Sequence, residues 1–188
     1  MTLQDQLNTP QRAKLRGVDY RLLVESGALD RYARTELIDG EIWAMNASYS
    51  AHAKLQAAIS FALMTALRDA GSPLVVFTAV SVDLSDDANP EPDLVVAEDH
   101  DEGPLPLAKV RLVVEISDTT LNNDLGRKAS LYAAAGVPEY WVVDVDAKLI
   151  HQLWAPVAEA YAQRREAAFG ARIEAVTVAG LVVEGALA

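Results

Sequence analysis

The stretch that decides the fold is Val110–Asp144, VRLVVEISDTTLNNDLGRKASLYAAAGVPEYWVVD. It starts with a run of apolar and β-branched residues, Val110–Ile116, which predicts a buried strand. A second run of this kind follows at Tyr140–Val145. Between the two runs a helical pattern ends at Ala135, where Gly136 provides a C-cap. A strand, a helix and a strand within this length predict a crossover unit whose two strands pair in parallel.

Glu115 is the unusual residue of this unit, because it stands near the end of an otherwise apolar strand. A carboxylate that is buried alone is costly, so Glu115 requires a partner. The preceding short strand, Asp93–Ala97, begins with a second acid, and the two carboxylates can meet if the strands pair. Two adjacent carboxylates repel unless a cation or a proton lies between them, and oxygen ligands suit Mg²⁺. The structural alternative places Asp93 in a turn and pairs Glu115 with Arg111 or Lys109.

Lys128 interrupts the helical stripe that we expect to face the sheet. The members of that stripe are Leu121, Leu125, Lys128, Tyr132 and Ala135. A lysine in this position must reach water or meet an anion, which Asp93, Glu115 or a bound phosphate would provide. The alternative is an i,i+4 pair with Asp124 on a solvated surface, worth only about 0.2–0.5 kcal/mol. The two interpretations do not exclude each other.

Length and composition predict one globular domain, since the chain has 188 residues, of which 51% are hydrophobic and 23% charged. We expect residues 1–17 to form an N-terminal arm and residues 18–188 to form the domain. The absence of cysteine removes disulfides and thiolate metal sites and fits a reducing compartment. The sequence has neither an apolar signal core nor an apolar run of membrane-spanning length, so we expect a cytoplasmic protein without a membrane partner. The net charge of −11 weighs against a broad, non-specific nucleic-acid binder, but it allows an enzyme with a local basic lip and a metal.

The remaining patterns predict the other elements of the sheet and its helices. In chain order they are a short helix at Val18–Glu25, a hairpin around Asp39-Gly40, a helix at Ser50–Ala70, strands at Leu74–Leu84 and Asp93–Ala97, an antiparallel pair at Lys148–Trp154 and Ala160–Arg165, and weaker strands at Ile173–Val178 and Leu181–Val183. From Ser50 onward the order is helix, three strands, helix, strand. This order predicts a mixed sheet with helices on its faces.

At these residues the sequence resembles the PD-(D/E)XK nuclease superfamily and, more narrowly, the Uma-two family of restriction endonucleases. The segments that carry the resemblance cover most of the chain: Glu36–Glu41 (ELIDGE), His52, Glu91–Asp93 (EPD), Val114–Ser117 (VEIS), Asp124–Lys128 and Gly136–Asp144 (GVPEYWVVD). The last string is the most specific. The resemblance implies an α/β (α+β mixed sheet) fold of the restriction endonuclease-like type. It would have an αβββαβ core, an N-terminal hairpin and a C-terminal β extension.

The resemblance also implies a metal-dependent nuclease that hydrolyses phosphodiester bonds, with DNA as the expected partner. Asp93, Glu115 and Lys128 would be catalytic. Asp93, Glu115 and the backbone carbonyl of Ile116 would hold Mg²⁺ or Mn²⁺, and the metal would activate a water. Lys128 would orient that water or stabilise the developing charge. In the superfamily's basic pattern the lysine lies two residues after the glutamate, where this chain has Ser117, so the resemblance implies that the lysine has moved to the following helix.

Three further residues are secondary candidates for the site. His52, at the start of a helix, can contact a phosphate or the metal, although a histidine in a first turn is more often simply exposed. Glu41 can add a carboxylate, although a solvated strand residue is the simpler interpretation. Asp124 can steer Lys128.

Two other functions stay open at this point. The acidic balance and the displaced lysine also suit a non-catalytic nucleic-acid-binding or regulatory module on the same fold. A hydrolase that uses Asp93 and Glu115 as a paired acid and base, for example on a glycoside, would need no metal. A homodimer is consistent with cutting both strands of a duplex, and the apolar strands near the C-terminus offer an interface.

Overall fold

The computed structural model describes residues 12–45 and 50–184. Its helices are α1 (Gly17–Glu25), α2 (Ser50–Asp69) and α3, which is continuous through Leu121–Asn123, a π-helical part Asp124–Lys128, and Ala129–Ala135. Its strands are β1 (Arg34–Ile38), β2 (Glu41–Met45), β3 (Val75–Thr78), β4 (Val82–Asp83), β5 (Leu94–Ala97), β6 (Leu105–Pro106), β7 (Val110–Ser117), β8 (Glu139–Asp144), β9 (Leu149–Val157), β10 (Ala160–Ala168), β11 (Ile173–Glu174) and β12 (Val182–Val183). No helix in the described part of the chain is long and apolar enough to cross a membrane.

A six-stranded mixed sheet in the order β10-β9-β8-β7-β5-β3 forms the centre of the fold. Strands β7 and β8 are parallel, and α3 connects them, as the crossover pattern predicts. The other neighbouring pairs in this sheet are antiparallel. The hairpin β1–β2 turns at Asp39-Gly40, as predicted, and forms a separate two-stranded sheet. The order of elements from α2 to β8 follows the predicted core, apart from the short β4 and β6.

The alternation of side chains along β5 and β7 separates two apolar layers. On one face, Leu112, Val114 and Ile116 join a cluster that includes buried residues of α2. On the opposite face, Val95 and Val113 join a cluster that includes residues of α3. Alternation therefore directs Glu115 to the α3 face, together with Val113.

The predicted strand Leu74–Leu84 is divided in the structure, so that prediction is wrong in its extent. Ala79 adopts a positive φ of 48°, which interrupts the strand after β3. Its N–H donates to the carbonyl of Asp93 (3.3 Å), and the N–H of Val82 donates to the carbonyl of Pro90 (2.8 Å). The chain thus leaves the sheet edge and follows the segment that precedes β5. Beyond the break, β4 pairs in parallel with β6.

Part of the predicted N-terminal arm is attached to the domain. Residues 1–11 of that arm lie outside the described residues. The N–H of Leu15 donates to the carbonyl of Gly40 (2.9 Å), which joins the segment before α1 to the hairpin turn. A Cβ built on Gly40 would lie 2.7 Å from Cβ of Lys14, so the close approach requires glycine at the turn. Helix α1 begins at Gly17, one residue before the predicted start.

Glu139 joins β8 to the C-terminal extension through a buried carboxylate. Its side chain is fully buried and accepts hydrogen bonds from Nε1 of Trp141 (2.6 Å) and from the backbone N–H groups of Val176 and Thr177 (both 2.8 Å). Oγ1 of Thr177 donates to the same carboxylate (2.9 Å). The extension, which includes the short pair β11–β12, is therefore fastened to the sheet by a side chain as well as by apolar packing.

We expect Glu139→Ala to lower the free energy of unfolding by about 3 kcal/mol or more, because it leaves several buried donors without an acceptor. Urea denaturation measures this change. Glu174→Ala, which removes an exposed carboxylate from the same extension, is the matched control and should stay within about 0.5 kcal/mol of the wild type. Equal losses in the two variants would contradict a fastening role for Glu139.

Candidate active site

Asp93 and Glu115 face each other across two neighbouring strands. Leu94 of β5 pairs with Val114 of β7, so Asp93, which directly precedes β5, comes opposite Glu115. Both carboxylates are buried, with exposed fractions of 4% and 3%. Oδ2 of Asp93 accepts a hydrogen bond from the backbone N–H of Ile116 at 2.8 Å. This side-chain bond takes the place of a backbone bond between the strands, because β5 begins only at the next residue. The strand pairing thus brings together the two acids on which the sequence interpretation depends.

Lys128 turns inward and binds Glu115. Its Nζ lies 2.9 Å from Oε1 of Glu115, and its exposed fraction is only 6%. The hydroxyl of Tyr132 donates to the same oxygen at 2.8 Å. Arg111, the partner in the structural alternative, pairs with Glu98 instead. The lysine on the helix therefore reaches the acid at the end of β7.

A π-helical turn sets the position of Lys128 within α3. The N–H of Ala129 donates to the carbonyl of Asp124, which is an i+5 pattern. Asp124 is buried, and its carboxylate accepts from the hydroxyls of Ser117 and Thr120 rather than forming a solvated i,i+4 pair with Lys128. Asp124 therefore fixes the start of α3 to the end of β7. Turns of this kind occur frequently at functional sites.

Glu36 and Arg34 of β1 complete the charge cluster, and the sequence interpretation did not include either among the site residues. Oε1 of Glu36 lies 3.5 Å from Nζ of Lys128 and 3.5 Å from a guanidinium nitrogen of Arg34. Arg34 also lies 2.9 Å from the Glu91 carboxylate and 3.5 Å from Asp93. The sequence pattern that could have indicated these two residues is their alternation, which puts Arg34 and Glu36 on the same face of a hairpin strand. Tyr132 was also missed, although it follows Lys128 by four residues on the same stripe.

Of the secondary candidates on the other elements, the structure brings His52 to the cluster and leaves Glu41 outside it. Nε2 of His52 lies 3.1 Å from Oδ1 of Asp93. The next turn of α2 adds Gln56, whose side-chain amide donates to the carbonyl of Asp93 at 2.8 Å. Glu41 is exposed at the hairpin turn, 4.0 Å from Arg12, and does not line the cavity that holds the other residues. The simpler interpretation of Glu41 as a solvated strand residue fits this position.

The cluster lies in an open cavity of about 460 Å³. Asp93, Glu115, Ile116 and Lys128 all line this cavity. The N–H of Ile116 points toward Asp93, and the N–H and carbonyl of one strand residue point to the same side. The Ile116 carbonyl is therefore directed to the side of the strand on which Asp93 lies.

Burial and neighbouring charges shift the pKa values of the site in opposite directions. Burial, aided by the charges of Asp93 and Glu36, raises the pKa of Glu115 to about 8, although Lys128 acts to lower it. Burial lowers the pKa of Lys128, but the carboxylates of Glu115 and Glu36 outweigh it and leave that pKa above its ordinary value. Burial acts to raise the pKa of Asp93 as well. The hydrogen bonds from His52 and from the N–H of Ile116 outweigh burial, so the pKa of Asp93 lies below its ordinary value. The hydrogen bond to Asp93 raises the pKa of His52.

The residues present fit a hydrated Mg²⁺ or Mn²⁺ ion. Within the described ranges no group of three or more His, Cys, Asp or Glu side chains forms a preformed metal cage. Mg²⁺ does not need one, because it takes one or two protein carboxylates and keeps several waters. Asp93, Glu115 and the Ile116 carbonyl supply oxygen donors beside a cavity with room for those waters.

Comparison with known proteins identifies a similar fold and the family of the chain. The fold is similar to that in the crystal structure of a "putative nuclease belonging to DUF820" from Anabaena variabilis ATCC 29413, with a TM-score of 0.54. That likeness has 14% sequence identity and covers 93% of this chain and 89% of that chain, so it shows the nuclease-like mixed α/β fold alone. No curated protein matches the chain. The family described as "Putative restriction endonuclease" matches residues 20–184, and the chain therefore belongs to this Uma2 family.

Proposed function

We propose that the chain is a Mg²⁺- or Mn²⁺-dependent endonuclease that hydrolyses phosphodiester bonds, with DNA as its substrate. The observation that carries the proposal is the ion pair of 2.9 Å between Lys128 and Glu115, formed directly opposite Asp93 in one open cavity. Membership of a family described as restriction endonucleases supports a nuclease, and so does the description of the Anabaena protein of similar fold as a nuclease.

In this proposal Asp93, Glu115 and the Ile116 carbonyl hold the cation. When bound, the cation supplies Lewis-acid stabilisation of the phosphate and lowers the pKa of a water. His52 and the N–H of Ile116 hold the Asp93 carboxylate in place through its two oxygens. The hydroxyl of Tyr132 holds the carboxylate of Glu115 in place through a hydrogen bond.

Lys128 acts as a donor rather than as a general base. Its carboxylate neighbours keep its pKa above the ordinary value, so the ammonium stays protonated near neutral pH. A buried, protonated ammonium can donate to the scissile phosphate or to the attacking water and can stabilise the charge that develops there. Glu36 holds the ammonium from the hairpin side at 3.5 Å.

Three parts of the proposal rest on the sequence: that the substrate is DNA, that the protein is cytoplasmic and that it forms a homodimer. The competing function is a nucleic-acid-binding or regulatory module without turnover, and the net charge of −11 favours the regulatory form, because it opposes contact with phosphates. Metal-dependent cleavage separates the two functions, because a module has none. Plasmid DNA, single-stranded DNA and RNA, each with Mg²⁺ or Mn²⁺, cover the relevant substrates.

We expect Asp93→Asn and Glu115→Gln each to abolish cleavage and to weaken metal binding by at least about tenfold, since each removes a charged ligand. Calorimetric metal titration and a plasmid assay measure the two effects. Circular dichroism should show folded protein. The amide of Glu115→Gln keeps an oxygen for Lys128 and Tyr132, and that of Asp93→Asn keeps one for the N–H of Ile116 while its NH2 group can donate to Nε2 of His52. Glu41→Gln, an exposed carboxylate outside the cavity, is the matched control. Wild-type cleavage by either site variant would refute the assignment.

We expect Lys128→Met to lower kcat by about 10²- to 10³-fold with little change in KM, because it removes a donor that acts on developing charge. Steady-state kinetics on one defined oligonucleotide measures both constants. Lys54→Met, which removes an exposed cation outside the cavity, is the control. A comparable loss of kcat in Lys54→Met would mean that net positive charge, rather than the position of Lys128, is what matters.

We expect metal affinity to rise by up to about tenfold per pH unit between about pH 6 and pH 8, with release of a proton on binding. The reason is that the raised pKa of Glu115, about 8, keeps the carboxyl protonated where an ordinary glutamate is ionised. Asp93, with a lowered pKa, is already ionised. The same shift makes the metal-free protein less stable as pH rises from about 4.5 to about 8, because only the unfolded chain has then lost this proton.

Calorimetry in buffers of different ionisation enthalpy counts the released protons. Glu115→Gln is the control for the titrating group, and its residual metal binding should depend less on pH. A wild-type affinity that is constant across this range would contradict the role given to Glu115.

A further inference from the structure

Trp43 is a large aromatic side chain left exposed beside the candidate site. It is 46% exposed and lies at the mouth of the cavity that holds Asp93 and Glu115. In the hairpin it stands directly opposite Glu36, and residues paired in this way share one face of the sheet. The pairing therefore places Trp43 next to the buried carboxylate that holds Lys128. Neither the packing of the core nor the proposed chemistry uses this indole ring.

Arg127 covers one face of that ring and is held there weakly. Its guanidinium carbon lies 4.2 Å from the centre of the Trp43 ring, and one of its nitrogens lies 3.0 Å from the carboxylate of Asp39. Both Arg127 and Asp39 are partly exposed. An exposed cation–π contact and an exposed ion pair each contribute about fivefold or less to an equilibrium constant. A ligand that binds the ring or the guanidinium more strongly can therefore take their place.

The cavity beside Trp43 is lined by three cations, Arg34, Arg127 and Lys128. The segment of residues 12–34 contains six Lys or Arg and three Asp or Glu residues, a net charge of +3, which the three acids of residues 35–45, Glu36, Asp39 and Glu41, cancel. The start of this segment packs on the turn between β1 and β2, where Leu15 donates to Gly40. Its end, Arg34, lines the cavity. A phosphate that approaches Trp43 thus meets the guanidinium of Arg127 first, the cation of this cavity that only exposed contacts hold.

We propose that Trp43 and Arg127 form a platform for one unstacked base of single-stranded nucleic acid, which sets the adjoining phosphate in the cavity. The base stacks on Trp43, and Arg127 contacts the backbone. The substrate is single-stranded because a base within a duplex has both faces covered by its neighbours, whereas base–aromatic stacking needs an open face. This inference rests on the proposed nuclease function and narrows its substrate class.

The first experiment measures binding without cleavage. A fluorescently labelled twelve-nucleotide single strand of DNA is titrated with protein in metal-free buffer at low salt, and its anisotropy is followed. We expect Trp43→Ala to weaken binding by about five- to 150-fold, the range for one lost base–aromatic stack, and Trp43→Phe to restore most of it. Trp154→Ala is the matched control, since Trp154 also stacks with an arginine, Arg165, but on β9 and β10. Thermal melting checks that all variants are folded.

Two further strands test the substrate class. The duplex form of the same DNA should bind more weakly than the single strand and should lose little affinity in Trp43→Ala. A single-stranded RNA of the same sequence reports on the sugar, and a Trp43-dependent affinity for it also supports the platform. The inference is overturned if the duplex binds as tightly as the single strands. It is also overturned if Trp43→Ala binds every strand like the wild type.

Cleavage assays separate the failure of this inference from the failure of the proposed function. If the wild type cleaves duplex DNA with Mg²⁺ or Mn²⁺ and Trp43→Ala is unimpaired in KM, the platform is wrong and the nuclease stands. If no substrate is cleaved but single-strand binding depends on Trp43, the platform stands and the nuclease is wrong. Under both hypotheses together, Trp43→Ala raises KM for the single strand and leaves metal binding unchanged.

Discussion

The buried carboxylate of Glu115 is the constraint that organises the surrounding structure. Burial takes most of the hydration from this carboxyl group, so hydrogen-bond donors of the protein must replace it. Lys128 and Tyr132 supply them from α3, so the helix has to cross the end of β7 at one particular height and rotation. The ammonium of Lys128 also pairs with the carboxylate of Glu36 on the hairpin. Sheet, crossover helix and hairpin therefore meet at a single group of charges.

The sequence was sufficient for the parts of the site that depend on local periodicity. Asp93 and Glu115 were predicted to meet because each stands at an end of one of two consecutive strands, and the helical period of 3.6 predicted that Lys128 faces the sheet. Arg34 and Glu36 were not predicted as site residues, because no periodic pattern in the sequence shows that a hairpin packs against the end of a distant sheet. Their pairs with residues 93 and 128 span large sequence separations, and only the folded chain brings these residues together.

Local irregularities were the other features that patterns did not predict. The run Leu74–Leu84 has the pattern of a strand, yet Ala79 takes a positive φ, which ends β3 while the N–H of Ala79 still donates to the carbonyl of Asp93. Glu41 shares the face of the hairpin that carries Glu36, but it lies beyond the reach of the cavity. Alternation gives the face that a side chain occupies. It does not give the distance along the strand to the point of contact.

The π-helical turn of α3 has a mechanical consequence. Arg127, at the mouth of the cavity, and Lys128, at its base, are consecutive residues of one turn whose hydrogen bonds follow an i+5 pattern. A turn of this kind holds one residue more than an α-helical turn, and its return to α-helix would rotate every later side chain about the axis. A change of this turn to α-helix would therefore move the outer guanidinium and the inner ammonium together.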